Sequence, residues 1–197
     1  MWKVRMQGDP EAFASLVSRW QGSINRLCCR MVGDTHRAED LTQEAFARLF
    51  AHRARYEASA RFSTYLWQIA LNLCRDELRR RGRRREESVE PEKVEDLVAG
   101  EPMAYASALP PDAQLSASEQ AQEVRVALET LPERFREVLV LRHYEGLKFR
   151  EIADVLDVPE GTVKSRMAEA LDRMGRLLAR PSTTGSPEAL AREDFIL

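Results

Sequence analysis

The sequence predicts an all-α fold class, with two small helical domains joined by a flexible linker. Apolar residues recur at the three- and four-residue spacing of an amphipathic helix over most of the 197 residues. No segment alternates apolar and polar residues, and no Asn-Gly or Asp-Gly pair marks a hairpin turn. Between residues 86 and 117 the helical spacing stops, and proline and acidic residues accumulate. We therefore expect an N-terminal domain over residues 8–85, an acidic, proline-containing linker over 86–117 and a C-terminal domain over 118–180.

The first part of the chain predicts two consecutive helices. Asp9 is placed to cap the first helix, with Pro10 in its first turn. The apolar face then continues from Ile24 to Met31 in a second helix, which ends at Gly33.

Two further helices complete the predicted N-terminal domain. The third begins at Asp34 or Thr35, and the fourth, a long one, begins near Ser63 after a break over residues 53–61. The apolar positions of the third helix are Ala38, Leu41, Ala45, Phe46 and Leu49. Those of the fourth are Leu66, Ile69, Ala70 and Leu73. We expect these stripes to pack together as the core of the domain.

The C-terminal half begins with a capping-box pattern, SASE, at residues 116–119. Pro132 opens the next predicted helix, which ends at Gly146. Two short amphipathic helices follow, the second starting at Pro159. The tail, residues 181–197, is rich in Ser, Thr and Gly and has no role that we can assign.

The last two helices have the pattern of a helix-turn-helix. The apolar stripe of the first consists of Phe149, Ile152, Ala153 and Leu156, and that of the second of Val163, Met167, Ala170, Leu171 and Met174. The outward positions of the second helix are Thr162, Ser165, Arg166 and Glu169, with Lys164 at the flank. Short polar and cationic groups near a helix N-terminus fit the major groove, so the pattern favours DNA binding. A helical hairpin with a solvated outer face is the open alternative.

A second polar surface lies along the long fourth helix. Tyr65, Gln68, Asn72, Arg75 and Arg79 are spaced by three or four residues and so form one line. The preceding loop adds Tyr56, Arg61 and Phe62 beside that line. Aromatic, amide and guanidinium groups in a row can stack on bases, read base edges and hold phosphates. A solvated face with half-exposed aromatic residues is the alternative that the line alone leaves open.

Charge and cysteine content restrict the class of protein further. The formal net charge is −2, but an arginine-rich run over residues 75–85 is followed directly by an acidic run over 86–96. Cys28, Cys29 and Cys74 have no metal-ligand spacing and are interpreted as small, buried apolar residues in a reducing cytoplasm. No apolar run has the length of a signal peptide core or a membrane span. We therefore expect a cytoplasmic protein without membrane insertion.

Taken together, the two halves resemble the group IV, or extracytoplasmic-function, sigma factors of bacterial RNA polymerase. The segments GDPEAF, RAEDLTQEAFARLF and FSTYLWQIALNLCRDELRR are similar to sigma region 2. The segment LPERFREVLVLRHYEGLKFREIADVLDVPEGTVKSR is similar to sigma region 4. The resemblance covers about residues 8–85 and 118–178, in the order of the family and with a variable linker between them.

The resemblance implies a promoter-recognition subunit with three working surfaces. Capture and opening of the −10 element falls to Tyr56, Arg61, Phe62, Tyr65, Gln68, Asn72, Arg75 and Arg79. Reading of the −35 element falls to Thr162, Lys164, Ser165, Arg166 and Glu169. Docking on the clamp helices of the largest polymerase subunit falls to Asp40, Gln43 and Glu44.

The same resemblance defines the expected partners. These are core RNA polymerase, promoter DNA and an anti-sigma factor that masks the chain until a signal releases it. No cofactor, metal, catalytic residue or small-molecule substrate is expected.

Some positions depart from the family pattern. Tyr65 stands where the family usually has Trp, and Gln68 and Leu71 replace positions that are commonly basic. At Ala168 and Glu169 the family often has a larger residue and an arginine. A carboxylate at position 169 repels phosphate unless it accepts a hydrogen bond from a cytosine amine in the groove.

Two alternatives belong to other functional classes. A free-standing helix-turn-helix regulator accounts for residues 147–175 but leaves the DLTQEAF helix and the line on the fourth helix unexplained. A metal-dependent hydrolase could use Glu39, Asp40 and Glu44, but no neighbouring histidine or glycine-rich loop completes such a site. His36, His52 and His143 are scattered and are interpreted as surface or capping residues.

Overall fold

The computed structural model describes residues 1–56, 61–87 and 111–179. Within those ranges the chain forms helices and no strand, which agrees with the predicted fold class. The helices are α1 (Trp2–Gln7), α2 (Pro10–Val32), α3 (Thr35–Ala51), α4 (Phe62–Glu87), α5 (Pro111–Thr130), α6 (Glu133–Leu139), α7 (Phe149–Leu156) and α8 (Glu160–Leu178). We call residues 1–87 the N-terminal domain and residues 111–179 the C-terminal domain. Most of the predicted linker, and the tail, lie outside the described residues.

The N-terminal domain is built around α2, α3 and α4, which pack against one another. The Asp9 carboxylate caps α2 by accepting hydrogen bonds from the N–H groups of Glu11 at 3.0 Å and Ala12 at 3.1 Å. The predicted division of the stretch from Asp9 to Gly33 into two helices was wrong, because α2 is continuous over 23 residues, and the short helix α1 that precedes it was not predicted. Gly22 lies in the middle of that helix and lowers its propensity, but tertiary packing overrides so weak a local signal.

The predicted cores of α3 and α4 are confirmed in the structure. Asp34 caps α3 by accepting a hydrogen bond from the N–H of Arg37 at 2.9 Å. All five apolar positions predicted for α3 are buried, as are Leu66, Ala70 and Leu73 of α4, while Ile69 is half-buried against this core. Cys28 and Cys74 are buried free thiols, as expected, whereas Cys29 is only half-buried because it points in a different direction from its neighbour on α2.

The first helix of the C-terminal domain is α5. It starts at Pro111, ahead of the capping-box pattern, and proline is well suited to a first helical position. Pro132 precedes α6, which continues as a π-helical turn over Val140–Tyr144. The chain then reverses at Gly146, whose φ of +70° is readily adopted by glycine.

Helices α7 and α8 form the predicted helix-turn-helix. Asp157 ends α7 in the left-handed conformation, with φ of +53°, and the chain re-enters a helix after Pro159. The prediction that Leu171 faces inward was wrong, since Leu171 is 49% exposed. At about 100° per residue it lies some 80° round the helix from buried Val163, and therefore on the rim of the apolar stripe.

The two domains pack against each other, which the sequence analysis did not predict. Helix α4 contacts α7, and α2 contacts α5, α6 and the π-helical turn. Buried apolar side chains of both domains belong to one continuous cluster. The described parts of the chain therefore form a single closed body in this conformation.

A buried carboxylate at the far end of α4 organises the base of the N-terminal domain. Glu77 is 7% exposed and accepts hydrogen bonds from Arg37 at 2.9 Å and from Arg80 and Arg81 at 3.1 Å each. Arg81 also pairs with Asp34 at 3.1 Å and so ties α4 to the cap of α3. Burial by itself raises the pKa of Glu77, but the hydrogen bonds from Arg37 and Arg81 outweigh it and lower that pKa.

We predict that Glu77→Gln lowers the free energy of unfolding of the full chain by about 1–3 kcal/mol at neutral pH. The lowered folded-state pKa means that the contribution of Glu77 is complete above the unfolded Glu value of about 4.3 and is lost as the pH falls through the folded value. Urea unfolding between pH 7 and pH 3 measures both effects. The matched control is Asp172→Asn, which removes an exposed carboxylate from an ion pair within α8. Equal losses in the two variants would contradict a structural role for Glu77.

Candidate nucleic-acid and polymerase interfaces

An aromatic cluster forms at the N-terminal end of α4. Tyr56 follows a short 3-10 turn over Arg53–Arg55, and its ring lies 6.3 Å from that of Phe62 and 5.7 Å from that of Tyr65. Phe62 in turn meets Trp20 of α2 edge-on at 6.1 Å. The three predicted base-stacking residues are therefore brought together, half-buried, on a support from the domain core. Such a cluster offers ring faces to an unstacked base.

The predicted line along α4 is present and hydrogen-bonded. The Nη1 of Arg75 donates to Oδ1 of Asn72 at 3.0 Å, so the two side chains are oriented as a pair. Arg79 is exposed and lies 3.8 Å from Asp76. The exposed amide and guanidinium groups at these positions can hold a polynucleotide backbone.

Much of that line faces the C-terminal domain. The Arg61 guanidinium pairs with Glu151 of α7 at 2.5 Å, and Gln68 Nε2 donates to the carbonyl of Asp154 at 3.1 Å. Arg75 Nε donates to Glu137 of α6 at 2.5 Å. The hydrogen bond with Glu137 raises the pKa of Arg75. Three of the eight residues predicted for the −10 element are thus held by groups of the other domain.

The outer face of α8 carries the residues predicted for the −35 element. Lys164 is exposed and pairs with Glu160 at 2.7 Å, and the Ser165 hydroxyl donates to the carbonyl of Thr162 at 3.0 Å. Arg166 is half-buried on the same helix. These contacts lie within α8, so its outer face can meet a groove without disturbing the domain core.

Glu169 has a partner that sequence reasoning missed. Its carboxylate accepts a hydrogen bond from Arg173 Nε at 2.7 Å, and the Arg173 guanidinium lies 4.7 Å from the centre of the Phe135 ring. Arg173 stands four residues after Glu169, a spacing that itself signals the pair. The pair reduces the net negative charge that position 169 presents to DNA.

The residues predicted for polymerase docking form an exposed acidic patch on α3. The side chains of Asp40 and Glu44 are 65% and 48% exposed and pair with Arg37 at 3.1 Å and Arg48 at 2.7 Å. Gln43 is exposed between them. Carboxylates in such a patch can pair with a basic partner surface. The existing ion pairs with Arg37 and Arg48 are exposed and contribute little free energy, so replacing them by pairs with a partner costs little.

An apolar groove beside that patch was not predicted from the sequence. It has a volume of about 510 Å³ and lies between α2 and α3. Its lining includes Phe13, Val17, Gln43, Phe46 and Phe50. The signal was available, since Phe13 and Val17 belong to the apolar face of α2 upstream of the buried Ile24–Met31 stretch. Gln43 therefore lies at the edge of an apolar surface as well as in a polar patch.

The three histidines of the chain lie on its surface. His36, His52 and His143 are exposed, and His52 ends α3, in agreement with the interpretation as surface or capping residues. No group of three His, Cys, Asp or Glu side chains in residues 1–56, 61–87 and 111–179 is arranged to hold a metal ion. Over those same ranges, every helix is too short or too polar to cross a bilayer.

Two family models match the chain. Sigma-70 region 2 matches residues 16–84, and Sigma-70 region 4 matches residues 121–174. The first match includes α3, the aromatic cluster and the line on α4, and the second includes the helix-turn-helix. Two matches in this order define the class of protein as a sigma-70-type transcription initiation factor.

Individual relatives narrow the class further. The chain is 33% identical over 172 residues to the ECF RNA polymerase sigma factor SigW of Bacillus subtilis (strain 168). The alignment covers 87% of this chain and 91% of SigW. The chain is 34% identical over 180 residues to the ECF RNA polymerase sigma-E factor of Escherichia coli (strain K12), over 88% of this chain and 92% of that one. The chain belongs to the extracytoplasmic-function family of RNA polymerase sigma factors.

A solved structure has the same fold. The sigma factor RpoE from Bartonella quintana, in complex with the anti-sigma factor NepR, superposes with a TM-score of 0.66 at 24% identity, over 85% of this chain and 97% of that one. The sequence-based prediction of an all-α sigma factor is thereby confirmed in fold as well as in family.

Family membership settles the functional class. The chain is an RNA polymerase sigma factor that directs promoter recognition in transcription initiation, and it is not an enzyme in its own right. A free-standing helix-turn-helix regulator does not account for the region 2 match over residues 16–84.

We predict that Glu169→Arg strengthens binding to duplex DNA and weakens the preference for the −35 sequence. The substitution replaces a carboxylate by a phosphate-binding guanidinium and leaves Arg173 without its partner. Competition titrations against −35 duplexes and scrambled duplexes measure both effects, and the salt slope should steepen by about one to two phosphate contacts.

The control for this prediction is Asp172→Arg, three residues further along α8, which changes the net charge equally. A similar gain in both variants would indicate a general charge effect. No gain for Glu169→Arg would mean that Glu169 does not face DNA.

Proposed function

We propose that the aromatic cluster and the line on α4 capture and open the −10 element. A flipped base is stacked on Tyr56 and Phe62, and Asn72 reads its edge, while Arg75 and Arg79 hold phosphates of the displaced strand. The observation that carries this proposal is the convergence of three aromatic rings, with centroids 5.7 Å and 6.3 Å apart, at the start of the helix that bears Asn72 and Arg75. Unstacking a base costs a few kcal/mol, and a ready-made ring surface offsets that cost.

The −35 element is assigned to the outer face of α8. Lys164 and Arg166 supply cationic donors, and Thr162 and Ser165 supply short hydroxyls that can approach base edges closely. Support comes from the exposure of Lys164 and Ser165 and from the packing of α8 on α6 and α7, which fixes its orientation.

Docking on core RNA polymerase is assigned to α3 and the groove beside it. Asp40 and Glu44 pair with basic side chains of the polymerase, and Gln43 sits where the acidic patch meets the apolar groove. An apolar residue of the polymerase entering that groove would add desolvated contact area to the charge pairing.

We assign the chain to the cytoplasm, where its polymerase partner acts, and propose an anti-sigma factor as its regulator. A related fold is bound to the anti-sigma factor NepR in the Bartonella quintana complex, which supports this type of partner without identifying it. The domain boundaries are proposed at residues 8–85 and 118–180, with residues 86–117 as linker. The tail over 181–197 remains without an assigned role.

Run-off transcription on a genomic promoter library tests the function as a whole. Core RNA polymerase with this chain should produce new start sites that share a −35 and a −10 motif, and core polymerase alone should not. Absence of new start sites, with duplex binding by the chain alone intact, would favour a free-standing regulator.

We predict that Asn72→Ala reduces the yield of open complexes about tenfold while duplex binding at the −35 element is unchanged, because base-edge hydrogen bonds in a pocket are each worth about 1–3 kcal/mol. Permanganate reactivity of unpaired thymines measures opening, and mobility shift measures duplex binding. The matched control is Ser63→Ala, a half-buried position in the first turn of the same helix that is not assigned to DNA. Normal opening by the Asn72 variant would remove this residue from the pocket.

A separate prediction concerns polymerase docking. Asp40→Ala combined with Glu44→Ala should weaken binding to core polymerase by about tenfold at low salt and by less at high salt, because such pairs are screened. Fluorescence anisotropy across a salt series measures this. Glu39→Ala, about 100° round α3 from Asp40, is the matched control. Equal effects of the control and the double variant would argue against the assigned patch.

A further inference from the structure

The aromatic rings of the proposed −10 pocket come from two different parts of the chain. Phe62 and Tyr65 both stand on α4, three residues apart, so the helix itself fixes their relative positions. Tyr56 lies outside that helix, directly after the 3-10 turn over Arg53–Arg55. Its ring is 6.3 Å from that of Phe62 and 5.7 Å from that of Tyr65. The geometry of the pocket therefore depends on where the turn is held.

The 3-10 turn is held only weakly by its own backbone. Such turns have poorer hydrogen-bond geometry than an α-helix and occur in short pieces. The N–H of Tyr56 donates to the carbonyl of Arg53 at 3.3 Å, slightly beyond the usual range for such bonds. Arg53 is also tied to the end of α3, since its Nη1 donates to the carbonyl of Phe50 at 2.9 Å and its Cζ lies 4.3 Å from the centre of the Phe50 ring. Contacts with neighbouring elements therefore decide the position of the turn.

Helix α1 packs against the same turn, and also against α2. It is only six residues long, which is too short to persist alone in water, so tertiary contacts keep it folded. Val4 of this helix is fully buried, whereas Met6 is 62% exposed. Gly8 ends the helix beside the Arg53 side chain, since a Cβ atom at position 8 would lie 3.9 Å from Nη2 of Arg53. The burial of Val4 therefore keeps α1 seated on the turn.

We propose that α1 positions the −10 pocket and that Val4 is its positioning residue, acting through the 3-10 turn on Tyr56. This inference rests on the proposed assignment of Tyr56 to base stacking. Stacking on Tyr56 sets the plane of the flipped base whose edge Asn72 reads, so a misplaced ring weakens the discrimination between bases. Val4 has no exposed surface and cannot itself contact a nucleic acid, so its effect passes through the elements on which α1 packs.

Release of α1 should affect one of the three proposed surfaces and spare the other two. The residues proposed for the −35 element stand on α8, in the C-terminal domain. In the acidic patch on α3, Glu44 lies about two turns before the end of that helix at Ala51. Tyr56, in contrast, follows directly on the turn that α1 contacts. We therefore expect a defect in base capture, with binding to a −35 duplex and to core polymerase unchanged.

Val4→Asp in the full chain tests the proposal, and Met6→Asp is the matched control. Both substitutions place one carboxylate on α1, but only position 4 is buried, and an unpaired charge there is too costly to stay buried. Val4→Asp should therefore release α1 from the turn, and Met6→Asp should leave it seated. Amide hydrogen exchange followed by NMR should be about tenfold faster at Tyr56 in the Val4 variant and unchanged in the control, while the buried amides of α4 exchange normally in both.

A ratio of open-complex yields shows whether that release affects base reading. The yield on a promoter identified by run-off transcription is divided by the yield on the same promoter with the captured base replaced, so that the fraction of active protein cancels. We expect Val4→Asp to lower this ratio about fivefold and Tyr56→Ala to lower it about tenfold, whereas Met6→Asp leaves it unchanged. Adding Val4→Asp to Tyr56→Ala should lower the ratio no further, because both substitutions act on the same contact.

The outcomes separate this proposal from the proposed function. Wild-type exchange at Tyr56 in the Val4 variant would overturn the positioning role, and so would a further loss in the double variant. Equal losses of −35 binding and of opening would indicate a general loss of folded chain and would also overturn it. If Val4→Asp abolishes the cooperative thermal transition, Val4→Ala replaces it, with smaller changes of the same sign expected. An unchanged ratio for Tyr56→Ala would refute the assignment of Tyr56 in the proposed function, whereas hydrogen exchange would still decide whether α1 positions the turn.

Discussion

The structure depends on one buried guanidinium. Arg136 of α6 donates to the carbonyl of Met31 in the last turn of α2, and to the carbonyls of Glu129 and Leu131 at the end of α5. Carbonyls at helix C-termini lack partners within the helix and carry partial negative charge, which a cation satisfies. Burial lowers the pKa of Arg136, but a guanidinium stays charged in proteins. This one side chain therefore both completes the C-terminal domain and anchors it to the N-terminal domain.

The contacts of Arg136 determine which surface of the N-terminal domain is covered by the C-terminal domain. With α5 and α6 seated at the end of α2, α7 is placed along α4, and the line of polar residues on α4 meets acceptors from α6 and α7. The acidic patch of α3 and the apolar groove beside it are left exposed. The surface proposed for the polymerase is thus distinct from the surface proposed for the opened strand.

The helical periodicity of apolar residues was sufficient to predict most of the helices and most of the core. Helix formation and the burial of one helix face both depend on residues within a few turns of one another. Periodicity failed at α2, where one continuous helix runs through the stretch in which two were predicted, and at Leu171, which lies on the rim of an apolar stripe. The candidate residues came from helical spacing and motif resemblance, and the structure brings three of those predicted for the −10 element, Tyr56, Phe62 and Tyr65, together at the start of α4. The domain interface could not be predicted, because Arg75 and Glu137 are 62 positions apart and charged side chains are expected to be exposed.

Gly33 links the geometry of one domain to the position of the other. Its φ of +74° ends α2 in a conformation that glycine adopts without strain, and a Cβ atom there would lie 2.7 Å from Oε1 of Glu129 in the C-terminal domain. A side chain at this position would therefore strain the backbone at the end of α2 and displace the carboxylate of Glu129 from its place beside that turn. One substitution in the N-terminal domain would thus change the surroundings of a residue in the C-terminal domain.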